Sequence, residues 1–401
     1  MKPLDGVRVV DFGWVWAGAV CGQILAAMGA EVIKIESRRR LDGLRLGRVF
    51  ETGTALERNP TFHNINRGKL SFTVDISTPE GRDIVRALVA KSDVVIENFT
   101  PGVLERLGLG YADLAAVQPR LVMLSMSGAG QTGPLRDIMA YAPIIHSLSG
   151  FDSLIGYGPG DVIGTKLAYL DVSASIHGAL AVLAALRHAQ ETGQGQHIDL
   201  SEWEVAVSLL GEAIVGFQLT GTEPQPAGNR LPGMAPCGIY PCRGEDAWIS
   251  IAVADDAEWQ GLCRALARLD WLSDPGLADG FGRWRRQSDL DAGIAAWTRE
   301  RAPMEAAEVL QAEGVPAAPC FHIGELLYEP HFEERDLFAV VEHPVTGTER
   351  VYNIPWQFSA FTPQLSRHAP LLGQDNDYVL YDVLGLSEEE VRALRDKGVL
   401  Q

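Results

Sequence analysis

Val7-Arg8-Val9-Val10-Asp11-Phe12 reads as a buried strand, and Glu31-Val32-Ile33-Lys34-Ile35-Glu36 reads as the next. Between them, Ala19 to Met28 carries a helical pattern closed by Gly29. Strand, helix and strand in this order form a βαβ unit, which implies a parallel sheet with a right-handed crossover. The alternation continues downstream. Leu70 to Ile76 reads as a strand, and Ser77-Thr78-Pro79-Glu80 starts a helix that runs to about Lys91. Hydroxyl caps, an early Pro and then an acid are a strong N-terminal signal. Asp93 to Phe99 and Leu121 to Met126 are further parallel strands, separated by short helices around Val103 to Leu107 and Tyr111 to Val117. The loop Trp14-Val15-Trp16-Ala17-Gly18 lacks the Gly-x-Gly-x-x-Gly spacing that brings backbone against a pyrophosphate, which argues against a nicotinamide dinucleotide.

Outward from this unit, residues 41–62 show no period and are expected to form a long loop. Gly156-Tyr157-Gly158-Pro159-Gly160 is a turn, His197 to Leu200 a short strand and Glu202 to Leu219 a long helix. Near Gly221 the composition changes to Pro and Gly, which marks a linker. Ala247 to Val253 is a strand, with helices at about 257–268, 289–298 and 304–311. The expected division is therefore 1–220 for a large domain, 228–323 for a smaller α/β domain and 326–401 for a C-terminal segment. A terminal helix from Glu388 to Lys397 is capped by Ser387 and stopped by Gly398.

The net charge is −18, with 46% hydrophobic and 21% charged residues. Such a balance describes an ordinary globular protein and argues against nucleic-acid or anionic-membrane binding. It also means that an anionic ligand needs a local basic cluster. Ser37-Arg38-Arg39-Arg40 supplies one directly after the second strand, where ligands of open α/β sheets sit. The five cysteines are scattered without Cys-x-x-Cys spacing, so no zinc site or disulfide framework is indicated, and reduced thiols fit a cytoplasmic protein. The N-terminus does not read as a signal peptide, and no apolar run looks long enough to span a bilayer. Gly-x-Ser-x-Gly, His-Glu-x-x-His and Walker A patterns are absent from the sequence.

Asp171 opens a long helix pattern in which Ile176, Leu180, Leu183 and Leu186 recur at helical spacing. One reading makes it an N-cap, since Asp accepts from the free N–H groups of a first turn. The other makes it a nucleophile: an ionised carboxylate at a helix start attacks an activated acyl group. The segment alone leaves both open. His177 and His188 are read as structural.

Several motifs together resemble family III coenzyme A transferases, the group that includes formyl-CoA transferase, carnitine CoA-transferase and α-methylacyl-CoA racemase. They are Leu4-Asp5-Gly6-Val7, Gly29-Ala30-Glu31, Asn66-Arg67-Gly68-Lys69, Thr78-Pro79-Glu80-Gly81, Glu97-Asn98-Phe99-x-Pro101-Gly102, Leu107-Gly108, Gly193-Gln194-Gly195-Gln196 and Pro370-Leu371-Leu372-Gly373. The resemblance covers essentially the whole chain. It implies a doubly wound, Rossmann-like large domain with a smaller α/β domain and an interlocked, ring-like dimer. It places Asp171 at the catalytic position and CoA contacts at Trp16, Ala17, Arg38, Val74, Asp75, Ile76, Ser77, Asn98, Phe99, Thr100, Arg106, Met139 and Tyr141. Charge alone adds Arg39, Arg67, Lys69 and Arg136. Gly228, Gly233 and Gly238 would form a substrate loop with a lid role. Trp16, Ser37-Arg38, Met139 and Ala142 depart from the formyl-CoA transferase pattern, and Trp14, Trp16 and Tyr141 point to an apolar or aromatic acyl site.

The resemblance implies a CoA-transferase, with a coenzyme A thioester as substrate, no permanently bound cofactor and no metal. Succinyl-CoA is the expected donor and a carboxylic acid the acceptor. The expected partner is a second copy of the chain, with a heteromer of related chains as an alternative. A racemase of the same fold is the competing activity; its second acid–base group would fall at Tyr141-Ala142, and Tyr is a poor base near neutral pH.

Overall fold

Val9, Val10, Val32, Ile33, Val94 and Val95 are fully buried. Such runs of β-branched residues suit strands covered on both faces. The computed structural model describes residues 2–46, 56–165, 167–363 and 365–400. Among these, the strands β1 (Arg8–Asp11), β2 (Glu31–Glu36), β3 (Leu70–Thr73), β4 (Val94–Glu97), β5 (Val122–Ser127) and β6 (Gln196–Ser201) form one sheet in the order β3-β2-β1-β4-β5-β6. Every pairing is parallel, with Val10 opposite Ile33 on one side and Val95 on the other. The order reverses between β1 and β4, and the loops leaving those two strands flank the crevice where open α/β sheets take ligands.

The helices of this part are α1 (Ala17–Ala27), α2 (Pro60–Ile65), α3 (Pro79–Val89), α4 (Val103–Arg106), α5 (Tyr111–Val117), α6 (Ala142–Ser149), α7 (Tyr169–Thr192), α8 (Glu202–Ser208) and α9 (Gly211–Thr220). One apolar core joins α1 and α7 to one face of the sheet. A second joins α3, α5 and the C-terminal residues Val379, Leu380, Val391 and Leu400 to the other. Ala174 and Gly178 keep α7 close; a Cβ on Gly178 would lie 3.0 Å from Leu124 Cδ2.

The C-terminal segment also covers β3, an edge strand. Asp375 Oδ2 accepts from Ser71 N–H at 2.8 Å, and Asn376 Oδ1 accepts from Thr73 N–H at 2.8 Å. Open edges pair promiscuously, and these side chains occupy the donors that would do so. The Pro370–Gly373 motif thus leads the chain onto the sheet edge.

The chain divides into two compact units: 1–152, 165–222 and 330–401 in the first, and 153–164 with 223–329 in the second. The second has a three-stranded antiparallel sheet of β7 (Cys237–Pro241), β8 (Trp248–Ala252) and β9 (Ala317–Pro319), packed on helices around Trp259, Leu262, Leu290, Ile294 and Leu310. An antiparallel hairpin, β10 (Phe338–His343) and β11 (Gly347–Tyr352), belongs to the first unit.

Four sequence expectations change. Residues 41–62 are not one long loop: Gly43–Leu46 is a 3₁₀ turn, and α2 starts at Pro60 with Asn59 Oδ1 accepting from Thr61 N–H at 2.8 Å. Residues 47–55 lie outside the described set. The helix expected over 202–219 is two, α8 and α9, separated at Leu209–Leu210. One helix, α7, is in fact 24 residues long and apolar enough to cross a bilayer by length and composition, but half of the qualifying stretch is buried. Finally, Asp171 is not the N-cap of α7, because the helix begins two residues earlier and Ala168 holds that position.

Charges lie deep in the first unit. Lys69 is 0% exposed and donates to Asp11 Oδ2 at 2.7 Å, Ala19 O at 2.8 Å and Asn66 Oδ1 at 2.9 Å. Lys34 and Asp42, both buried, pair at 3.1 Å. Arg45 is held by Glu36 and by Pro370 O, and stacks 3.9 Å over the Phe62 ring. Removing one member of a buried pair leaves an uncompensated charge, which costs about 3–5 kcal/mol. Lys69→Met is therefore expected to lose about that much stability in urea unfolding; a loss below about 1 kcal/mol would show that Asp11 does not need this partner.

Candidate functional site

The buried pairs shape the loop after β1. Asp11 Oδ1 accepts from Gly13 N–H at 2.7 Å, while Lys34 Nζ donates to Gly13 O. Asp42 accepts from Val15 N–H at 3.3 Å. Val15 has φ = 58°, a left-handed value that a β-branched residue adopts only under constraint. Gly13 and Gly18 touch backbone to backbone, since a Cβ on Gly13 would lie 2.5 Å from Gly18 C.

This loop meets the one after β4 at the reversal of strand order. Trp14 N–H donates to Asn98 Oδ1 at 2.8 Å, and Asn98 Nδ2 donates back to Trp14 O at 2.9 Å. Trp14 packs edge-on against Phe99 at 5.4 Å, and the Arg40 guanidinium lies 5.5 Å above its ring. Arg39 crosses from the β2 loop to pair with Asp75 at 2.9 Å, and Asp75 Oδ1 accepts from Ser77 N–H at 3.0 Å. One connected network therefore joins the loops carrying Trp16 and Ala17, Arg38, Val74 to Ser77, and Asn98 to Thr100. Ala17, Val74 and Asp75 are buried, whereas Arg38, Ser77 and Thr100 are exposed and Trp16, Ile76, Asn98 and Phe99 are intermediate.

Other sequence candidates stand apart from this network. Arg106 is exposed at the end of α4 and lies over Gly102. Met139 and Tyr141 precede α6 and are 88% and 77% exposed. Arg136 pairs with its neighbour Asp137. Lys69 and Arg67 are buried: Arg67 donates to Tyr352 O and stacks 4.7 Å over that ring. Lys69 spends its charge on Asp11, whereas, among the described residues, Arg67 meets only backbone oxygens and the Tyr352 ring and keeps Nη2 buried without a hydrogen-bond partner.

Asp171 is the third residue of α7. Ser175 Oγ lies 2.8 Å from Ala17 O and 2.7 Å from Asp171 O, which ties the first turn of α7 to the start of α1. The Asp171 carboxylate meets two opposed influences. A helix N-terminus favours its charged form, and burial opposes it. Burial wins: its pKa is pushed up to about 6, against a lowering from its own backbone N–H. Oδ2 is buried with no hydrogen-bond partner. The carboxyl therefore combines a raised pKa with one oxygen that no protein group occupies. His177 is exposed and bonds only to Ser173 O, which suits a structural residue.

Glu202 is the residue that sequence reasoning left unread as a functional group. It begins α8, where an acid complements a helix N-terminus and attracts no notice. Its pKa is pushed up to about 8, by burial first and by Asp171 second. Only the fold brings these two carboxyls near each other.

In the second unit, a cavity of about 340 Å³ is lined by residues that include Tyr157, Gly228, Arg230, Gly238, Tyr240 and Asp291. Tyr240 Oη donates to Asp291 Oδ1 at 2.8 Å, and Arg230 pairs with Asp291 at 3.4 Å. Of the three expected loop glycines, Gly228 and Gly238 line it and Gly233 does not.

His63, His343 and Glu349 bring three possible ligand atoms within 4.8 Å of one another. His63 bonds Glu349 Oε1 through Nδ1 at 2.6 Å and Glu57 O through Nε2 at 3.1 Å. His343 Nδ1 accepts from Val345 and Thr346 N–H at 3.2 and 3.3 Å. Accepting at Nδ1 leaves the ring proton on Nε2, so that nitrogen has no lone pair for a metal. The cluster is a hydrogen-bonded clasp between α2 and the β10–β11 hairpin. All five cysteines are unpaired.

A doubly wound sheet with loops gathered at its switch point stands beside a carboxyl with an unpartnered oxygen in the first turn of α7. The comparisons assign the chain to a class. The profile of CoA-transferase family III matches residues 4–376. The chain is 36% identical over 402 residues to a succinyl-CoA–D-citramalate CoA-transferase of Chloroflexus aurantiacus, covering all of this chain and 98% of that one. It is 32% identical to the beta subunit of a succinyl-CoA–L-malate CoA-transferase from the same organism, over 99% and 98% of the two chains. A crystal structure of a CaiB/BaiF family protein from Brucella suis superposes with a TM-score of 0.87 at 30% identity, covering 95% of this chain and 99% of that one. The chain belongs to CoA-transferase family III and is a CoA-transferase.

Proposed function

We propose that this enzyme moves CoA from succinyl-CoA to a small dicarboxylic acid through an aspartyl-CoA thioester on Asp171. The observation that carries this reading is the buried, unpartnered Oδ2 of Asp171 on a carboxyl that is mostly ionised at neutral pH. Asp171 attacks the thioester carbonyl, the C–S bond breaks and CoA leaves as thiolate, giving a mixed anhydride. The thiolate attacks the Asp171 carbonyl and the donor carboxylate departs. The acceptor carboxylate then attacks the aspartyl thioester, and thiolate leaves again. Its return to the acceptor carbonyl expels Asp171 as carboxylate. Charge is conserved at every step, so no proton has to move, and excluding water preserves the anhydride.

The connected loops at the sheet switch point are our CoA site. Arg38 and Arg40 are the cations we assign to phosphate, because Arg39 already pairs with Asp75. The start of α1 at Ala17 offers backbone N–H groups. Arg106, Met139 and Tyr141 remain candidate contacts on the exposed surface. The glycine loop from Gly228 to Gly238 is the candidate substrate loop. Relatives named for citramalate and malate favour a small, polar acceptor over the apolar acyl group that Trp14 brought to mind; the Trp14 ring is already packed against Phe99 and Arg40.

A second copy of the chain is the partner we favour. The 10-residue α9 has no buried residue, although Ile214, Val215, Phe217 and Leu219 are among its side chains. Ile176 and Leu180 of α7 are likewise exposed. Apolar patches of this extent are covered in working proteins.

Two measurements test these readings. Wild-type enzyme with succinyl-CoA and citramalate or malate is expected to form the acceptor thioester, and Asp171→Asn to lower kcat at least about 10³-fold. Transfer at wild-type rate by Asp171→Asn would rule the nucleophile out. Light scattering is expected to give a particle of twice the 43.5 kDa chain mass; a stable monomer would contradict the covered apolar faces.

A further inference from the structure

Among the described residues, Val15 is the only β-branched one at a positive φ; Glu57, Asp246, Ala267 and Asp336 share the sign without the branch. A branched Cβ disfavours the left-handed region, so such a residue stays there only where its surroundings fix it, and such sites gather at ligand clamps. Three contacts fix this one. The Val15 N–H points at the Asp42 carboxylate, 3.3 Å from each oxygen. Lys34 pairs with that carboxylate at 3.1 Å and donates to Gly13 O, two residues before Val15. The half-buried Val15 side chain packs against the core that joins α1 and α7.

Both neighbours of this turn are anchored, and to different parts of the site. On one side, Trp14 N–H donates to Asn98 Oδ1 at 2.8 Å, and Asn98 Nδ2 donates to Trp14 O at 2.9 Å. Glu97 Oε2 accepts from Phe99 N–H at 2.8 Å, which steadies the strand end that carries Asn98. On the other side, Ala17 opens α1, and Ser175 Oγ lies 2.8 Å from Ala17 O and 2.7 Å from Asp171 O. Val15 and Trp16 thus bridge the loops of the proposed CoA site and the helical turn that carries Asp171. The rest of the loop has no slack: a Cβ on Gly13 would lie 2.5 Å from Gly18 C, and one on Gly18 would lie 3.0 Å from Asn98 Oδ1.

We infer that Val15 is a positioning residue: its left-handed turn sets the reach from the CoA loops to the Asp171 turn, so that a bound thioester meets the carboxylate in register. The inference rests on the proposed nucleophile and CoA site. A branched side chain held at this φ has few neighbouring conformations open to it. Glycine takes the same φ without strain but takes many others as well. A glycine bridge therefore keeps every contact on either side and loses their alignment. Misplacing reacting atoms by about 1 Å costs up to about 10²-fold in rate.

The test compares Val15→Gly with Val15→Asn, a residue that tolerates left-handed backbone. Three readings are taken: thermal melting, binding of free CoA by calorimetry, and kcat for CoA transfer at saturating succinyl-CoA and acceptor. Val15→Gly is expected to melt within about 3 °C of wild type, because relief of the strained φ offsets the lost side-chain contacts. It should bind CoA within about three-fold of wild type and lose about ten-fold in kcat. Val15→Asn should return kcat to within about three-fold of wild type. Wild-type kcat in Val15→Gly overturns the inference. Equal losses in both variants also overturn it, because lost packing would then be the cause. So does a melting temperature that drops by more than about 10 °C, or CoA binding that weakens in step with kcat, since the turn would then serve the fold or the binding loop alone. Asp171→Asn separates the underlying reading. Normal transfer by that variant removes the nucleophile whatever Val15 does, whereas an inactive Asp171→Asn beside a fully active Val15→Gly removes this inference alone.

Discussion

Two buried ion pairs, Asp11 with Lys69 and Lys34 with Asp42, set the geometry on which the site depends. Four ionised groups in a protein interior are costly, and an apolar core of the same volume is often as stable. What they provide here is direction. Both pairs also bond the segment that runs from β1 into α1: Asp11 accepts from Gly13 N–H, Lys34 donates to Gly13 O, Asp42 accepts from Val15 N–H, and Lys69 donates to Ala19 O in the first turn of α1. The loop is thereby held in a strained turn that apolar packing alone does not specify. Burial holds the Lys69 ammonium below its usual range, with Asp11 opposing, which reflects how fully the interior depends on this partner.

The same economy of placement governs Asp171. A carboxylate fully exposed at a helix start is too well solvated to attack, and one fully desolvated stays protonated. Its position in the first turn of α7, tied to the start of α1 through Ser175, leaves it between these limits.

Much of this was legible in the sequence, for physical reasons. Strands such as Val7–Phe12 and Glu31–Glu36 carry neighbouring Val and Ile residues, because both faces are buried, and Thr78-Pro79 and Ser387 are caps whose chemistry is local. What failed to show was short or non-local. α2 is a single capped turn and a half inside a segment without periodicity. The basic residues of Asn66-Arg67-Gly68-Lys69 looked like phosphate ligands because sequence does not reveal burial; their partners Asp11 and Tyr352 are distant along the chain. Asp171 draws notice in the sequence as an acid at a helix start, yet its place at the third helical position rather than the cap depends on where α7 begins.

The central claim is that Asp171 becomes covalently attached to CoA. Intact-protein mass spectrometry after mixing wild-type enzyme with succinyl-CoA, followed by peptide mapping, tests it directly. The account predicts a hydroxylamine-sensitive CoA adduct on the peptide containing Asp171, absent from Asp171→Ala. Turnover without any adduct, or an adduct that persists in Asp171→Ala, would contradict it.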